Sequence, residues 1–377
     1  MRIALVHSYY SSRVPSGENN VVDAQALALR EAGHDVVVVA QSTDRRLRRR
    51  SYPIEAALTT ATGFGPSPAD ALAEFAPHVV HVHNLFPNFG RRWLTSYRGP
   101  LVATLHNYRP LCPAATLFRD GAICRECPAG HSTAPALRHR CFHGSALATL
   151  GPAIGTRFAQ DPVLRRAQVL TTLSAGMSAE YVAAGVPASK LRVVGNFVPD
   201  RAGGASPAPA ARTWLFAGRV ERDKGVHELI ENWPSGERLL VAGTPNSDDP
   251  LPPHPAVTLL GRLGPGDLVS AMGGATGLVF PSAWLEGLAL VCLEALSVGL
   301  PILAFDDVPA GRAVAELGIG LAGGRDDVPG LVERAADVFP QLREHCRAVY
   351  EREFTAAAWL ERVEAAYADA RTLARVM

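Results

Sequence analysis

Two carboxylates, Glu286 and Glu294, stand with seven residues between them inside an otherwise apolar run, FPSAWLEGLALVCLEALSVGLPILAF, residues 280–305. A buried carboxylate without a partner is costly, so each must meet one, from the protein or from a ligand. TGLVFPS reads as a buried strand, Glu286-Gly287 as a turn, and 289–296 as a helix, which sets Glu294 about two turns further along. Carboxylates accept hydrogen bonds from hydroxyls, so the pair suits a polyol such as a sugar or a ribose. Gly287 lets backbone N–H groups approach closely, and the helix start beside it favours an anion. The same residues also admit a plainer reading, with Glu286 as a helix cap and Glu294 in a satisfied core pair.

A second group lies upstream in LFAGRVERDKG, residues 215–225. A strand ends at Ala217-Gly218 and a helix starts near Lys224, so Arg219 and Lys224 sit at a strand end and a helix start. A fork-shaped guanidinium and a point-charge ammonium together fit a diphosphate, aided by the positive helix terminus. The alternative is a solvated basic loop. The first βα turn, VHSYYSSRVPSGENN, lacks GxGxxG, which argues against a dinucleotide there. Ser16-Gly17-Glu18 either offers N–H groups to a phosphate or simply caps a helix.

The elements that must position these groups are legible. The stretches 1–7, 34–40, 78–84, 101–107, 168–174 and 191–196 read as buried strands. Val22, Ala26 and Leu29 mark a helix that ends near Gly33. After 199–212, a Pro-, Ala- and Gly-rich linker, the alternation restarts. Strands are expected at TWLFAGR, RLLVAG, AVTLLG, TGLVFPS and PILAF, with a helix near 265–272. The tail, about 328–373, is expected to be helical throughout, with Leu331, Ala335, Val338 and Leu342 inward. Strand–helix alternation implies parallel sheets with right-handed crossovers. The expected fold is α/β: two Rossmann-like domains with sheets facing across a cleft, and ligands at the carboxyl ends of strands.

Bulk numbers agree. The chain has 377 residues, 47% hydrophobic and 19% charged, with a formal net charge of +1. That is about right for two ordinary domains, and the charge balance argues against nucleic acid. Neither a signal peptide nor a membrane span is evident, so a cytoplasmic protein is expected.

Taken in order, GRVERDKG followed by PSAWLEGLALVCLEALSVGLPIL resembles the donor-site signature of the retaining GT-B glycosyltransferases of family 4. RIALVHSYY, GENNVV, LREAGHDVVVV, HVHN and TLHNYRP extend the resemblance over nearly the whole chain. It implies a hexosyl transfer from a UDP-, GDP- or dTDP-sugar with retention, and no catalytic metal. The acceptor would be a glycan, a lipid-linked intermediate or a small natural product. It implies an acceptor domain at 1–197, a donor domain at 198–354, and a C-terminal helix, 355–377, packing back on the first. Arg219 and Lys224 would hold the diphosphate and stabilise the leaving group. Glu286 would face the donor sugar and act in catalysis. Gly287, Leu288, Ala289 and Leu290 would offer backbone N–H groups, and Glu294 would bind the ribose. Arg262 and Leu263 would meet the base, and Gly17 the diphosphate. His106 matches the family histidine near the sugar and would be the catalytic candidate of the N-terminal domain, although a strand-end histidine is often structural. The chain departs from the family pattern with Ser16-Gly17 for a glycine pair, and with Leu288-Ala289 after Glu286-Gly287.

Cys112, Cys124, Cys127 and Cys141 fall in one insertion, 107–145. C-x2-C flanked by two further cysteines in a reducing compartment suits structural zinc with four thiolates. His131, His139 and His143 are alternative ligands, and free or redox-active thiols the alternative state. Following His106, the lobe is expected to border the acceptor pocket. The run DRRLRRR, 44–50, is either a solvated loop or a contact for a phosphate-bearing acceptor or for acidic lipid headgroups at the inner face of a membrane. Two rival functions use the same features: a zinc-ribbon binding protein on a GT-B scaffold, and a GT-B epimerase or phosphorylase.

Overall fold

The computed structural model describes residues 1–12, 16–202 and 212–375, so most of the expected linker lies outside the described residues. The chain forms two compact units. One comprises Met1–Arg119, Cys124–Gly195 and Trp359–Met377; the other comprises Asp120–Ile123 and Asn196–Ala358.

The first unit is built on a six-stranded sheet with strands Arg2–Tyr9, Asp35–Ser42, Val79–Asn84, Leu101–Leu105, Val169–Thr172 and Leu191–Val193. In chain order the strands lie 2-1-3-4-5-6 across the sheet, and the recorded pairings are parallel. Ile3 to Val6 are fully buried, as a strand covered on both faces requires. The helix Gly17–Glu31 buries Val22, Ala26 and Leu29 as the spacing predicts, with Ser16 as its N-cap, and Gly33 takes a left-handed φ of 83°. Two helices not foreseen from sequence, Tyr52–Thr62 and Ala146–Gly155, lie side by side. Glycine makes that approach close: a Cβ at Gly155 would stand 2.2 Å from the Thr60 carbonyl, and one at Gly151 3.2 Å from that of Ala57.

The second unit has strands Thr213–Ala217, Arg238–Ala242, Val257–Gly261, Gly277–Phe280, Ile302–Phe305 and Gly320–Gly323. Its order is 3-2-1-4-5-6, with parallel pairings. Two cores form on its two faces. Leu215, Leu278 and Ile302 pack with Cys292 and Leu296 on one face. Trp214, Phe216 and Leu303 pack with Phe339 on the other. The alternation follows from the two-residue period of a strand.

The tail is two helices rather than one, Val328–Glu353 and Ala356–Ala374. Leu331 and Ala335 are inward as expected; Val338 is exposed, and Phe339 takes the buried position. The last helix is part of the first unit. Tyr367 shares a hydrogen bond with His81 (2.9 Å), Glu364 pairs with His34 (2.7 Å), and Asp369 pairs with Arg192 (2.9 Å). Among the described residues, no helix is long and apolar enough to cross a membrane.

Candidate active site

In the second unit, strand order reverses between Thr213–Ala217 and Gly277–Phe280, and ligands of such sheets gather where it reverses. The segments leaving these two strands carry Lys224 and Glu286. A 3-10 turn, Arg222–Lys224, follows the first strand, and Gly225 closes it at φ 70°. A Cβ at Gly225 would lie 2.0 Å from the Pro281 carbonyl oxygen, so only glycine lets the two segments meet. Ala283 N–H donates to the Asp223 carbonyl at 3.0 Å, tying them together.

Lys224 Nζ then donates to both carboxylate oxygens of Glu286, at 2.7 and 2.9 Å. Both side chains are only 15% exposed. Ser282 Oγ donates to the same carboxylate, and the ammonium lies 5.0 Å from the Trp284 ring centroid. Glu286 is therefore no helix cap. The helix begins later than expected, at Leu290, with Ala289 as its N-cap. That leaves Gly287, Leu288 and Ala289 in the loop, with the first unpaired amides of the helix beyond them.

Glu294 lies in this helix, Leu290–Ser297. Among the described residues no protein group hydrogen-bonds its carboxylate, and burial raises its pKa, with Arg201 opposing. A half-buried acceptor without a donor is a place for ligand hydroxyls. Arg219 is not brought to the Lys224–Glu286 pair. It is 46% exposed and bonded to Glu221 at 2.6 Å. Arg262 is exposed, and Leu263 packs half-buried on the core. Arg325, which no motif signalled, donates to the carbonyls of Pro281 (3.1 Å) and Ser282 (2.8 Å) while pairing with Asp307. It fixes the loop that carries Glu286.

The first unit holds a cavity of about 110 Å³, lined among others by His83, Asn84, Phe86, His106, Asn107 and Arg109. His106 sits just past its strand and shares a hydrogen bond with His83 (Nε2 to Nδ1, 3.0 Å). Burial depresses its pKa to about 3, and that of His7 to about 4, so both rings are neutral near pH 7. Arg109 stacks over Phe86 at 3.6 Å, and Arg91 pairs with Asp161 at 2.8 Å on the cavity wall.

Gly17 is exposed at the helix start. Its neighbour Glu18, whose side chain is given no role by the sequence, is the more unusual group. Burial pushes its pKa up to about 8 against the pull of Arg109, Asn84 and Asn107, and its carboxyl lies 4.0 Å from His7.

Cys112, Cys124, Cys127 and Cys141 all line one small, separate cavity with Ala114, Leu117, Phe118, Arg119, Pro128 and Ala136. His131, His139 and His143 are not part of that lining. Among the described residues no group of three or more histidine, cysteine, aspartate or glutamate side chains is placed to hold a metal ion.

Two parallel-sheet α/β units, together with the solved structures they resemble, show a GT-B fold. Residues 15–201 match Glycosyltransferase Family 4, and residues 207–349 match Glycosyl transferases group 1; the chain belongs to glycosyltransferase family 4. Glycogen synthase of Mycobacterium tuberculosis (strain CDC 1551 / Oshkosh) is 27% identical over 367 residues, covering 90% of this chain and 86% of that protein. Among solved structures, sucrose-phosphate synthase from Thermosynechococcus elongatus is similar with a TM-score of 0.61 at 17% identity, covering 100% of this chain and 98% of the other. Anabaena Alr3699/HepE in complex with UDP and glucose is similar with a TM-score of 0.60 at 14% identity, covering 98% and 99%.

Proposed function

We propose that the chain transfers a hexosyl group, with retention, from a nucleotide-sugar bound in the second unit to a hydroxyl of an acceptor bound in the first. The Lys224–Glu286 pair carries this reading. Transfer breaks the bond between the anomeric carbon and a diphosphate oxygen, and negative charge grows on the departing diphosphate. Lys224, held near a strand end and out of bulk water, supplies a preorganised countercharge. Arg219, exposed and bonded to the equally exposed Glu221, can turn to the same phosphate. Glu286 then faces the sugar, with backbone N–H groups of Gly287 to Leu290 nearby. Glu294 accepts from the ribose hydroxyls, and the Arg262-Leu263 loop meets the base. The solved relative HepE, crystallised with UDP and with UDP-glucose, favours a uridine donor. His106, neutral and at the wall of the first unit's cavity, is a hydrogen-bonding group for the sugar or acceptor.

Titration calorimetry with UDP, GDP, ADP and dTDP tests the donor half. One nucleotide is expected to bind wild type, and Glu294→Ala to weaken it by roughly 10–100-fold, the worth of a charged hydrogen bond. Absence of binding by all four to folded protein sinks the reading.

The first unit also supports an anionic membrane as the acceptor's source. Ile54 and Leu58 on one helix of the glycine-packed pair, and Leu147, Leu150 and Ile154 on the other, face solvent, Ile54 at 66% and Leu147 at 82% exposure. Arg45, Arg48, Arg49 and Arg50 are exposed just before the first of these helices. Apolar side chains beside a basic run suit acidic lipid headgroups. The same pair contributes Thr59, Thr60, Pro152 and Gly155 to the cavity wall, which would place a lipid-linked acceptor beside its binding groove.

A further inference from the structure

We propose that Cys112, Cys124, Cys127 and Cys141 bind one zinc ion as four thiolates, and that this ion sets the wall of the cavity in the first unit. The four residues come from separate parts of an insertion with little regular structure. Between residues 107 and 145 the longest helix has five residues and the strands two each. A long irregular insertion in a compact domain calls for a source of order, and beside its buried Tyr108, Leu111, Ala115, Leu117 and Ala136 a metal would supply one. Six non-glycine residues in it hold left-handed backbone: Ala115, Leu117, Asp120, His131, Arg140 and His143. Conformations of that kind persist only where the surroundings over-determine them.

All four cysteines nevertheless line one cavity, whose other walls are mostly alanine, leucine, proline and phenylalanine. The cysteine side chains are a matched set of soft ligands inside an apolar shell, and the three nearby histidines are outside it. Arg119, on the same wall and paired to Glu126 at 2.6 Å, supplies positive charge beside what would be a doubly negative centre. Zinc would draw the four sulfurs in from the cavity wall to roughly 2.3 Å from one centre. Four protein ligands leave no open position, so the ion is structural, and its binding energy orders the lobe.

The link to the larger cavity runs through Phe142, next to Cys141. Its ring lies 6.0 Å from that of Phe86, and 5.8 Å from the Arg109 guanidinium. Phe86 and Arg109 both line the cavity. Fixing Cys141 fixes Phe142, and with it that wall. This second step rests on the acceptor reading; the metal site does not.

The test uses the full chain purified under reducing conditions without chelator. Elemental analysis is expected to give about one zinc per chain. Cobalt exchanged into the site is expected to give the thiolate charge-transfer and tetrahedral ligand-field bands of a four-sulfur centre. Cys124→Ser and Cys127→Ser should lose the metal; should these variants fail to fold, the wild-type cobalt spectrum alone decides. Folded protein without metal, whose melting temperature ignores chelator and added zinc, overturns the proposal, as does a cobalt spectrum with nitrogen or oxygen ligands. With the site established, chelation should raise the acceptor KM and leave nucleotide affinity unchanged. Chelation that leaves the acceptor KM unmoved removes the link to the cavity and keeps the zinc.

Discussion

Lys224 and Glu286 are 62 residues apart in sequence, and their charged groups meet in a two-pronged hydrogen bond of 2.7 and 2.9 Å. Each neutralises the other, and under the proposed function a diphosphate arriving at Lys224 would free Glu286 for the sugar. Lys224→Ala removes the countercharge and leaves a half-buried carboxylate bonded only to Ser282. The expected outcome is a fall in kcat/KM of about 10²–10³-fold, the usual size for one preorganised charge stabiliser. Glu286→Gln keeps the shape and should lower kcat more than it raises the donor KM. Steady-state kinetics on both variants separate the two effects.

Gly225→Ala tests the close approach of the two strand-end segments. The substitution meets both a left-handed φ and the Pro281 carbonyl at 2.0 Å, so the turn must move. A cost of about 1–3 kcal/mol is expected, read as a melting temperature lower by several degrees. Turnover should fall as well, because the turn carries Lys224. A variant as stable and as active as wild type would show that the turn has slack.

Stability should fall on acidification through the buried histidines. His7 is depressed to about 4, and His81 and His106 to about 3, by burial, against about 6.5 in an unfolded chain. Below pH 6.5 the unfolded state binds more protons than the folded one, so stability declines as pH falls from about 6.5 toward 3–4. Thermal melts across that range check this, and His106→Gln should flatten the slope. Glu18 acts oppositely: raised to about 8, it stabilises the fold least once pH rises through that value, and Glu18→Gln should recover stability there.

The apolar face of the first unit predicts binding to anionic vesicles. Each arginine near such a surface contributes about 1 kcal/mol, so replacing Arg48, Arg49 and Arg50 by alanine should weaken partitioning by roughly a hundredfold at low salt. Ile54→Asp with Leu147→Asp should abolish it. Vesicle sedimentation with and without acidic lipid reads both, and equal binding to neutral vesicles would remove the role of the basic run.

Much of the frame was legible because buried parallel strands read as short apolar runs, and eleven of the twelve sheet strands named above were marked that way. The exception, Gly320–Gly323, is GLAG, half-buried with small residues, and such a strand gives no apolar signal. Helices Tyr52–Thr62 and Ala146–Gly155 escaped because their apolar residues face outward and their mutual packing uses glycine, which inverts the usual pattern. In the site, Glu286 and Lys224 were found through motif spacing. Arg325 was not, since its role is to hold two backbone carbonyls from a distant segment, which leaves no local signature. Arg219 was placed on the diphosphate by its spacing, and its bond to Glu221 arises from a rotamer that no spacing encodes.

The hydrogen bond between His81 and Tyr367 has a further consequence, for the order in which the protein can be built. His81 sits in the third strand of the first unit, and its buried ring finds one of its two partners only near the end of the chain; the other is Thr104. Trp359, Val363 and Tyr367 are likewise buried as part of that unit. As the ribosome proceeds, the first unit to begin is therefore the last to be completed. The second unit, contiguous from Asn196 to Ala358 apart from a four-residue segment, can close its own core while the first still waits for its final helix.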